Sequence, residues 1–281
     1  MRDQYVGDVG DFGKYGLLRA LCLGLAGCVD EKPSGLGDGQ RELTLGVQWY
    51  RSHGGGMTNN DGKFTDYLDG ATPTSRRLLA CDEDLAEVLK HILRSDRSIE
   101  SVQRWSVLPK GTVFFGEGLN FDDLRPSQHQ QRRERRQEWN ERACAELDGL
   151  DIVFCDPDNG LAGLNTSLTD KNGPKYISCD ELTPYWERGQ SLVIYQHFGR
   201  NGNAEQQIRR NAARLRETLG ACSHVDSVIA LRYHRSISRV FFVIPNPQKP
   251  EVAQLLKDRV DAFLECCWGQ DPHRHFSQVD C

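Results

Sequence analysis

The sequence lacks a long apolar run and a basic leader. Near the N-terminus, the longest stretch without a formal charge covers residues 20–29, which is too short to cross a bilayer. The first sixteen residues contain Asp3, Asp8 and Asp11, so they do not form the basic start of a signal peptide. From these two absences we predict a cytoplasmic protein that does not associate with a membrane.

A surplus of positive charge is also missing, because the 281-residue chain has a net charge of −5. This excludes a protein that coats nucleic acid through a strongly basic surface. The surplus of acid lies in residues 1–124. Two segments, 125–142 and 200–239, are locally basic and contain arginine-rich helices that suit a phosphate-bearing partner, RNA or DNA. The same arginines could instead pair with neighbouring glutamates on a solvated helix face.

Cysteine spacings typical of disulfide frameworks or zinc sites are absent. The ten cysteines are scattered along the chain, as expected for small buried side chains in a reducing compartment. A cluster near the C-terminus combines cysteine with histidine, namely Cys266, Cys267, His273, His275 and Cys281. Its spacing matches no common zinc motif, and we do not expect a metal site there.

The chain does contain a regular alternation of helix and strand patterns. Short apolar runs predict strands, and apolar residues at helical spacing predict helices. Strands are predicted over residues 43–50, 112–115, 151–155, 191–195, 228–233 and 239–244. Helices are predicted over residues 11–26, 75–104, 126–147, 181–186, 204–219 and 251–263.

This order predicts an α/β fold with a mostly parallel sheet of six to seven strands, helices on both faces and a late antiparallel strand pair. We expect one domain over residues 1–268, with a helical insertion around 75–105, and a C-terminal tail over 269–281. In such sheets, ligands bind beyond the carboxyl ends of the strands. The loops that follow the predicted strands therefore form the candidate site.

Two of these loops carry side chains suited to catalysis. The strand over 151–155 runs into Asp156, Asp158 and Asn159, with a proline that stiffens the turn. His197 follows the next predicted strand and would lie near Asp156 if the two strands are neighbours. We predict Asp156, Asp158 and His197 as catalytic residues, although aspartate and asparagine also form strand-end turns for purely local reasons.

The N-terminal segment is dense in glycine, aspartate and lysine and leads into the first predicted helix. Asp11 is placed to act as the N-cap of that helix. Capping by Asp11 does not account for Asp8 or Lys14, which are further candidates for a site.

These segments carry a resemblance to a known family. The spacing Gly7-Asp8-x-x-Asp11-x-x-Lys14-Tyr15 resembles the Gly-Asn-x-x-Asp-x-x-Lys-His segment of the bacterial 23S ribosomal RNA adenine-N6 methyltransferases. In that family a helix and a strand that enters a glycine-rich loop follow, as His53-Gly-Gly-Gly56 follows the strand over 43–50 here. The family's later Asp-Pro-Pro-Tyr corresponds to Asp156-Pro157-Asp158-Asn159.

The resemblance implies a Rossmann-like, class I methyltransferase fold and the cofactor S-adenosylmethionine. Asp156 would face the group being methylated, and the implied reaction is methyl transfer to a polar acceptor, with nucleic acid as one acceptor class. The residues that would bind the cofactor are Tyr5, Asp8, Lys14, His53, Gly54, Gly56, Glu117 and Asn159.

Two other functions stay open from the residues themselves. Asp8, Asp11, Asp156 and Asp158 could hold Mg²⁺ or Mn²⁺, which would support a phosphodiesterase or nuclease. Alternatively, the chain is a non-catalytic binding module on a degenerate methyltransferase fold. Gln48 supports this last hypothesis, because the family has an acidic residue at the end of the first strand.

Overall fold

The computed structural model describes residues 2–25, 41–51, 62–199, 202–222, 224–235, 239–270 and 274–281. Its α-helices are Val9–Leu23 (α1), Pro73–Leu79 (α2), Glu83–Ser95 (α3), Ile99–Arg104 (α4), His129–Glu146 (α5), Thr183–Glu187 (α6), Ala204–Gly220 (α7) and Pro250–Glu265 (α8). Its strands are Leu45–Trp49 (β1), Val113–Phe115 (β2), Ile152–Asp156 (β3), Gly160–Leu161 (β4), Tyr176–Ile177 (β5), Ser191–His197 (β6), Ile229–Tyr233 (β7), Arg239–Ile244 (β8) and Phe276–Val279 (β9). Among these helices, none combines the length and the apolar character needed to cross a bilayer.

Seven strands form the central sheet, in the order β2-β1-β3-β6-β8-β7-β9, and β4 pairs with β5 outside it. The pairings from β2 through β6 are parallel, and those of β8 with β6, β8 with β7 and β9 with β7 are antiparallel. The predicted α/β class, the strand number and the late antiparallel pair β7–β8 are confirmed. The sheet is more mixed than predicted, because β8 is antiparallel to β6 as well as to β7, and β9 adds a third antiparallel pairing.

The C-terminal segment differs from the prediction. We predicted a tail over residues 269–281, but β9 within it joins the sheet beside β7. The strand holds four residues, and only Phe276 among them is fully buried, so its apolar pattern is too short to reveal it. The even shorter β4 and β5 were missed for the same reason.

The predicted helical insertion is present but divided. Thr72, Asp82 and Ser98 each accept a hydrogen bond from a backbone N–H three residues later and cap α2, α3 and α4 in turn. The backbone N–H groups in the first turn of a helix have no carbonyl partner within that helix. Each capping side chain accepts a hydrogen bond from one of them, so a new helix begins after each cap. The stretch is therefore three helices joined by caps.

Helices cover both faces of the sheet, as predicted. Ile152 and Phe154 of β3 pack in one apolar core with α1, α3 and α8. Val153 and Cys155 alternate with them and pack in a second core with α5 and α7. This alternation follows from the two-residue period of a strand.

The strand order creates a crevice at one edge of the sheet. Strand β2 pairs with one side of β1, and the next strand of the central sheet, β3, pairs with its other side. The carboxyl ends of β1 and β3 therefore lie at a topological switch point, where ligands bind in sheets of this kind. Because β8 runs antiparallel, its first residue, Arg239, lies at the same edge and pairs with His197 at the end of β6.

Helix α1 contacts the sheet edge through a row of glycines. Gly10, Gly13 and Gly16 recur every three residues, and a Cβ on each would clash with Arg239, Tyr233 and Trp268, respectively. The absence of a side chain lets these three large groups lie directly on the helix backbone. Thus Gly10 and Gly13 of the N-terminal segment, like Gly16 further along α1, allow close packing.

We expect Gly16→Ala to lower the free energy of unfolding by roughly 1–3 kcal/mol, because the new methyl group overpacks against the buried Trp268 indole. Gly220→Ala in α7 is the matched control, since a Cβ there meets nothing within 4 Å. Urea denaturation of both variants measures the difference. Equal stabilities would contradict a rigid contact between α1 and Trp268.

Candidate functional site

A cavity of about 360 Å³ opens at the switch point. Four parts of the chain converge on it: the N-terminal segment with α1, residues 62–64, the loop after β3, and the ends of β6 and β8 that meet at this edge. It is lined by Tyr5, Asp8, Gly10, Asp11, Lys14, Gly62, Phe64, Asp156, Pro157, Asp158, Tyr195, His197 and Arg239. Its volume lies in the range of small-molecule sites.

The cavity brings together most of the predicted site residues. All three predicted catalytic residues line it, as do Tyr5, Asp8, Asp11 and Lys14. Asn159 and Glu117 do not line it. The predicted glycine-rich loop, with His53, Gly54 and Gly56, lies outside the described residues.

Lys14 lies at the centre of the site and joins α1 to β3. Its Nζ donates hydrogen bonds to Asp11 Oδ1 and Asp156 Oδ2, both at 2.9 Å. The ammonium also lies 5.4–5.9 Å from the ring centres of Tyr15, Trp49 and Tyr195, within the range of a cation–π interaction. Two carboxylates and three aromatic rings therefore surround one buried positive charge.

The pKa values of Lys14 and Asp11 are both raised, for different reasons. Burial alone would lower the pKa of Lys14, but the carboxylates of Asp11 and Asp156 raise it well above its ordinary value. Burial raises the pKa of Asp11 from 3.8 to about 6, although the attraction of Lys14 opposes this shift. Asp11 thus changes charge close to neutral pH while Lys14 stays protonated.

Asp8, rather than the predicted Asp11, caps α1. The Asp8 side chain accepts a hydrogen bond from the Asp11 backbone N–H at 2.9 Å, so the helix begins at Val9. The carboxylate of Asp11 instead accepts hydrogen bonds from Lys14 and, at 3.2 Å, from the Tyr15 hydroxyl. The prediction was wrong by one helical turn because Asp11 had a stronger partner inside the cavity.

Arg239 is a cavity residue that the sequence prediction missed. Its Nε donates to the Tyr195 hydroxyl at 3.0 Å, and its Nη2 lies 3.6 Å from Asp8 Oδ2. Its Nη1 is buried and has no hydrogen-bond partner among the described residues. The sequence did contain a signal for Arg239, which is the first residue of the otherwise apolar strand β8. An antiparallel strand begins at the edge where its parallel neighbours end, so its first residue lies at the same edge as Asp156 and His197.

The loop after β3 is held by the N-terminal segment. Arg2 Nε lies 3.6 Å from Asp158 Oδ2, and Arg2 Nη2 donates to the Tyr5 hydroxyl at 2.6 Å. This ion pair and hydrogen bond position Asp158 and Tyr5 on the cavity wall. His197 is half-buried at the end of β6 and lines both this cavity and a second one.

Glu117 and Asn159 lie elsewhere. The carboxylate of Glu117 receives two hydrogen bonds from Arg142 of α5, and these bonds lower its pKa. The backbone N–H of Asn159 donates to the Lys175 carbonyl at 2.9 Å, and Asn159 lines the second cavity. Glu117 thus faces α5, and Asn159 lies on the opposite side of the loop from Asp158.

Two arginines of α5 stabilise the fold through buried hydrogen bonds. Arg132 donates to the backbone carbonyls of Thr169 and Leu124. Arg136 pairs with Glu181 and donates to two further carbonyls. Both side chains are buried, so these two arginines are not available to a phosphate-bearing partner.

The acidic residues of the cavity already have cationic or N–H partners. Asp11 and Asp156 bind Lys14, Asp8 binds Arg239, and Asp158 binds Arg2. In the described part of the chain, no group of three or more His, Cys, Asp and Glu side chains is arranged to hold a metal ion. A divalent ion bound by Asp11 and Asp156 would compete with Lys14, whose charge would repel it.

The described members of the cysteine and histidine cluster near the C-terminus have various hydrogen-bond partners. His275 Nδ1 accepts a hydrogen bond from Arg235 at 2.7 Å, and Cys266 and Cys281 contact separate backbone carbonyls. His273 lies outside the described residues.

We expect the Asp11 carboxyl to titrate near pH 6. Because its pKa is raised in the folded protein, its contribution to stability is complete below about pH 4 and is lost as the pH rises through 6. Carbon-13 NMR of aspartate-labelled protein measures the titration, and Asp11→Asn assigns the signal. A midpoint below pH 4.5 would contradict burial of this carboxyl.

Lys14→Met should lower the free energy of unfolding by about 3–5 kcal/mol, because Asp11 and Asp156 then lack their buried counter-charge. Adding Asp11→Asn should restore part of this loss. Lys90→Met is the control, since Lys90 pairs with the exposed Glu87 on α3 and such surface pairs contribute less than about 1 kcal/mol. Similar losses for Lys14→Met and Lys90→Met would refute a central role for Lys14.

No protein-family model, no curated protein and no solved structure matches this chain. The function of the cavity therefore has to be inferred from its own side chains, chiefly four carboxylates, Lys14 and Arg239.

Proposed function

We propose that this protein transfers a methyl group from S-adenosylmethionine to a polar acceptor. The observation that carries the proposal is the direct contact of Lys14 with Asp156 across 142 residues of sequence. These residues belong to the two segments that resemble methyltransferase motifs, and they meet in one cavity at the switch point. A parallel sheet that ends in an antiparallel pair, as β7 and β8 do, is also a feature of class I methyltransferases.

The side chains of the cavity suit the charges of this cofactor. Its sulfonium and ammonium groups are positive, and four carboxylates line the cavity against two cationic side chains. Its carboxylate needs a buried donor, and Arg239 Nη1 has no hydrogen-bond partner within the described chain. Tyr5, Asp8, Asp11 and Arg239 would hold the amino-acid part of the cofactor, which when bound supplies an electrophilic methyl group.

Asp156 and His197 would act on the acceptor. Asp156 accepts a hydrogen bond from the acceptor N–H or O–H and thereby orients its lone pair. Lys14 donates a hydrogen bond to Asp156 at 2.9 Å and fixes its side chain in place. His197, at the end of the adjacent strand β6, is the group that receives the acceptor proton.

Calorimetry with S-adenosylmethionine and with Mn²⁺ tests this function. We expect the wild-type protein to bind the cofactor and to take up no Mn²⁺. Manganese uptake without cofactor binding would overturn the proposal in favour of a phosphodiesterase, and binding of neither would leave a non-catalytic module.

Arg239→Gln should weaken binding of S-adenosylmethionine ten- to a hundredfold, because it removes a buried, charged hydrogen-bond donor. Arg133→Gln is the matched control, since Arg133 is exposed on α5 and should leave the affinity unchanged. Thermal melting of both variants confirms that they are folded. Unchanged affinity in a folded Arg239→Gln protein would show that Arg239 does not hold the cofactor.

A further inference from the structure

A second cavity, of about 510 Å³, lies on the other side of the loop that follows β3. Asp158 of this loop faces the first cavity, and its neighbour Asn159 faces the second. His197 lines both. The loop is therefore a thin wall between two compartments that meet at a predicted catalytic residue.

The walls of this second cavity are held in place by buried amide side chains. Gln196 Oε1 accepts a hydrogen bond from the Leu161 backbone N–H at 2.8 Å. Gly160, at φ +84°, leaves the space that Gln196 fills. Gln207 of α7 is hydrogen-bonded to both the N–H and the carbonyl of Gly199. These contacts fix the loop after β3 and the start of α7 against the end of β6.

The charge of the second cavity is opposite to that of the first. Arg210 and Arg214 are four residues apart on α7 and therefore share one helix face. None of the described residues that line this cavity is acidic. Neither arginine forms an ion pair with a carboxylate in the part of the chain that the structure describes, whereas Arg135, Arg136 and Arg142 of α5 do.

The other residues that line the second cavity suit an aromatic ring with hydrogen-bonding groups at its edge, such as a nucleotide base. Tyr176 and Phe198 are half-buried on the wall. The Arg232 guanidinium lies over the Phe198 ring, 5.9 Å from its centre, so we assign the stacking role to Tyr176. Asn159, Asn211 and other amide side chains provide donors and acceptors. Guanidinium groups bind phosphate through two parallel hydrogen bonds, so the whole lining matches a nucleotide.

We propose that this cavity binds the methyl acceptor through its phosphate, with Arg210 and Arg214 as the phosphate ligands. The inference rests on the proposed function and specifies its acceptor as a nucleotide, either free or within a single strand. A nucleotide bound there extends toward His197, so its reactive atom comes to the junction with the first cavity. The negative charge of the first cavity keeps the phosphate out of the cofactor site.

Binding of two probes tests the proposal: adenosine 5′-monophosphate by calorimetry, and a fluorescein-labelled ten-nucleotide single-stranded RNA of mixed sequence by anisotropy. The variant is Arg210→Gln/Arg214→Gln. The matched control is Arg133→Gln/Arg209→Gln, which changes the net charge equally at exposed arginines outside the cavity. Circular dichroism verifies that both proteins are folded.

We expect Arg210→Gln/Arg214→Gln to weaken phosphate-ligand binding by about tenfold or more, and the control to bind like wild type. For the RNA, the slope of log K against log salt should become shallower by about 1.4, because two phosphate contacts are lost. Binding of the mononucleotide as tightly as the RNA identifies a free nucleotide as the acceptor class, and tighter binding of the RNA identifies a strand.

Equal weakening in both double variants, or no binding of either probe to wild type, would overturn the proposal. The calorimetry with S-adenosylmethionine separates this result from a failure of the proposed function. A protein that binds the cofactor but neither probe refutes only the acceptor site. A protein that binds a probe through Arg210 and Arg214 but not the cofactor supports the phosphate site and refutes the methyltransferase function.

Discussion

The site depends on one buried charge, the ammonium of Lys14. Asp11 lies on α1 and Asp156 at the end of β3, and without a cation between them their carboxylates would repel each other in a medium of low polarity. Lys14 lies 2.9 Å from a carboxylate oxygen of each and thereby fixes α1 against the end of β3. The same contact holds two of the four carboxylates of the cavity in place.

Glycine is the second constraint on this arrangement. Lys14 can reach Asp156 only because α1 lies directly on the sheet edge, and that approach needs helix positions without side chains. Gly10 and Gly13 provide the space for Arg239 and Tyr233. The hydroxyl of Tyr233 then donates to the Val9 carbonyl at 2.9 Å, which supports the start of the helix that carries Asp11 and Lys14.

Much of the site was predictable because it follows strand ends. Asp156, Asp158 and His197 were found from their position after apolar runs, and the carboxyl ends of parallel strands must share an edge. Asn159, predicted to bind the cofactor, lines the second cavity rather than the first, since consecutive residues of a tight loop point to opposite sides and the sequence does not tell which side faces the crevice. Arg239 was missed because it reaches the edge from the start of an antiparallel strand.

The sequence by itself determined the element types, their order and the α/β class, because these depend on the local spacing of apolar residues. Tertiary structure alone decided which charges meet. Arg132, Arg136, Arg210 and Arg214 look equivalent along the chain, yet the first two are buried on backbone carbonyls and the last two line an acid-free cavity. The physical reason is that charge pairing depends on distance in space, and strand order and register, rather than local spacing, set that distance.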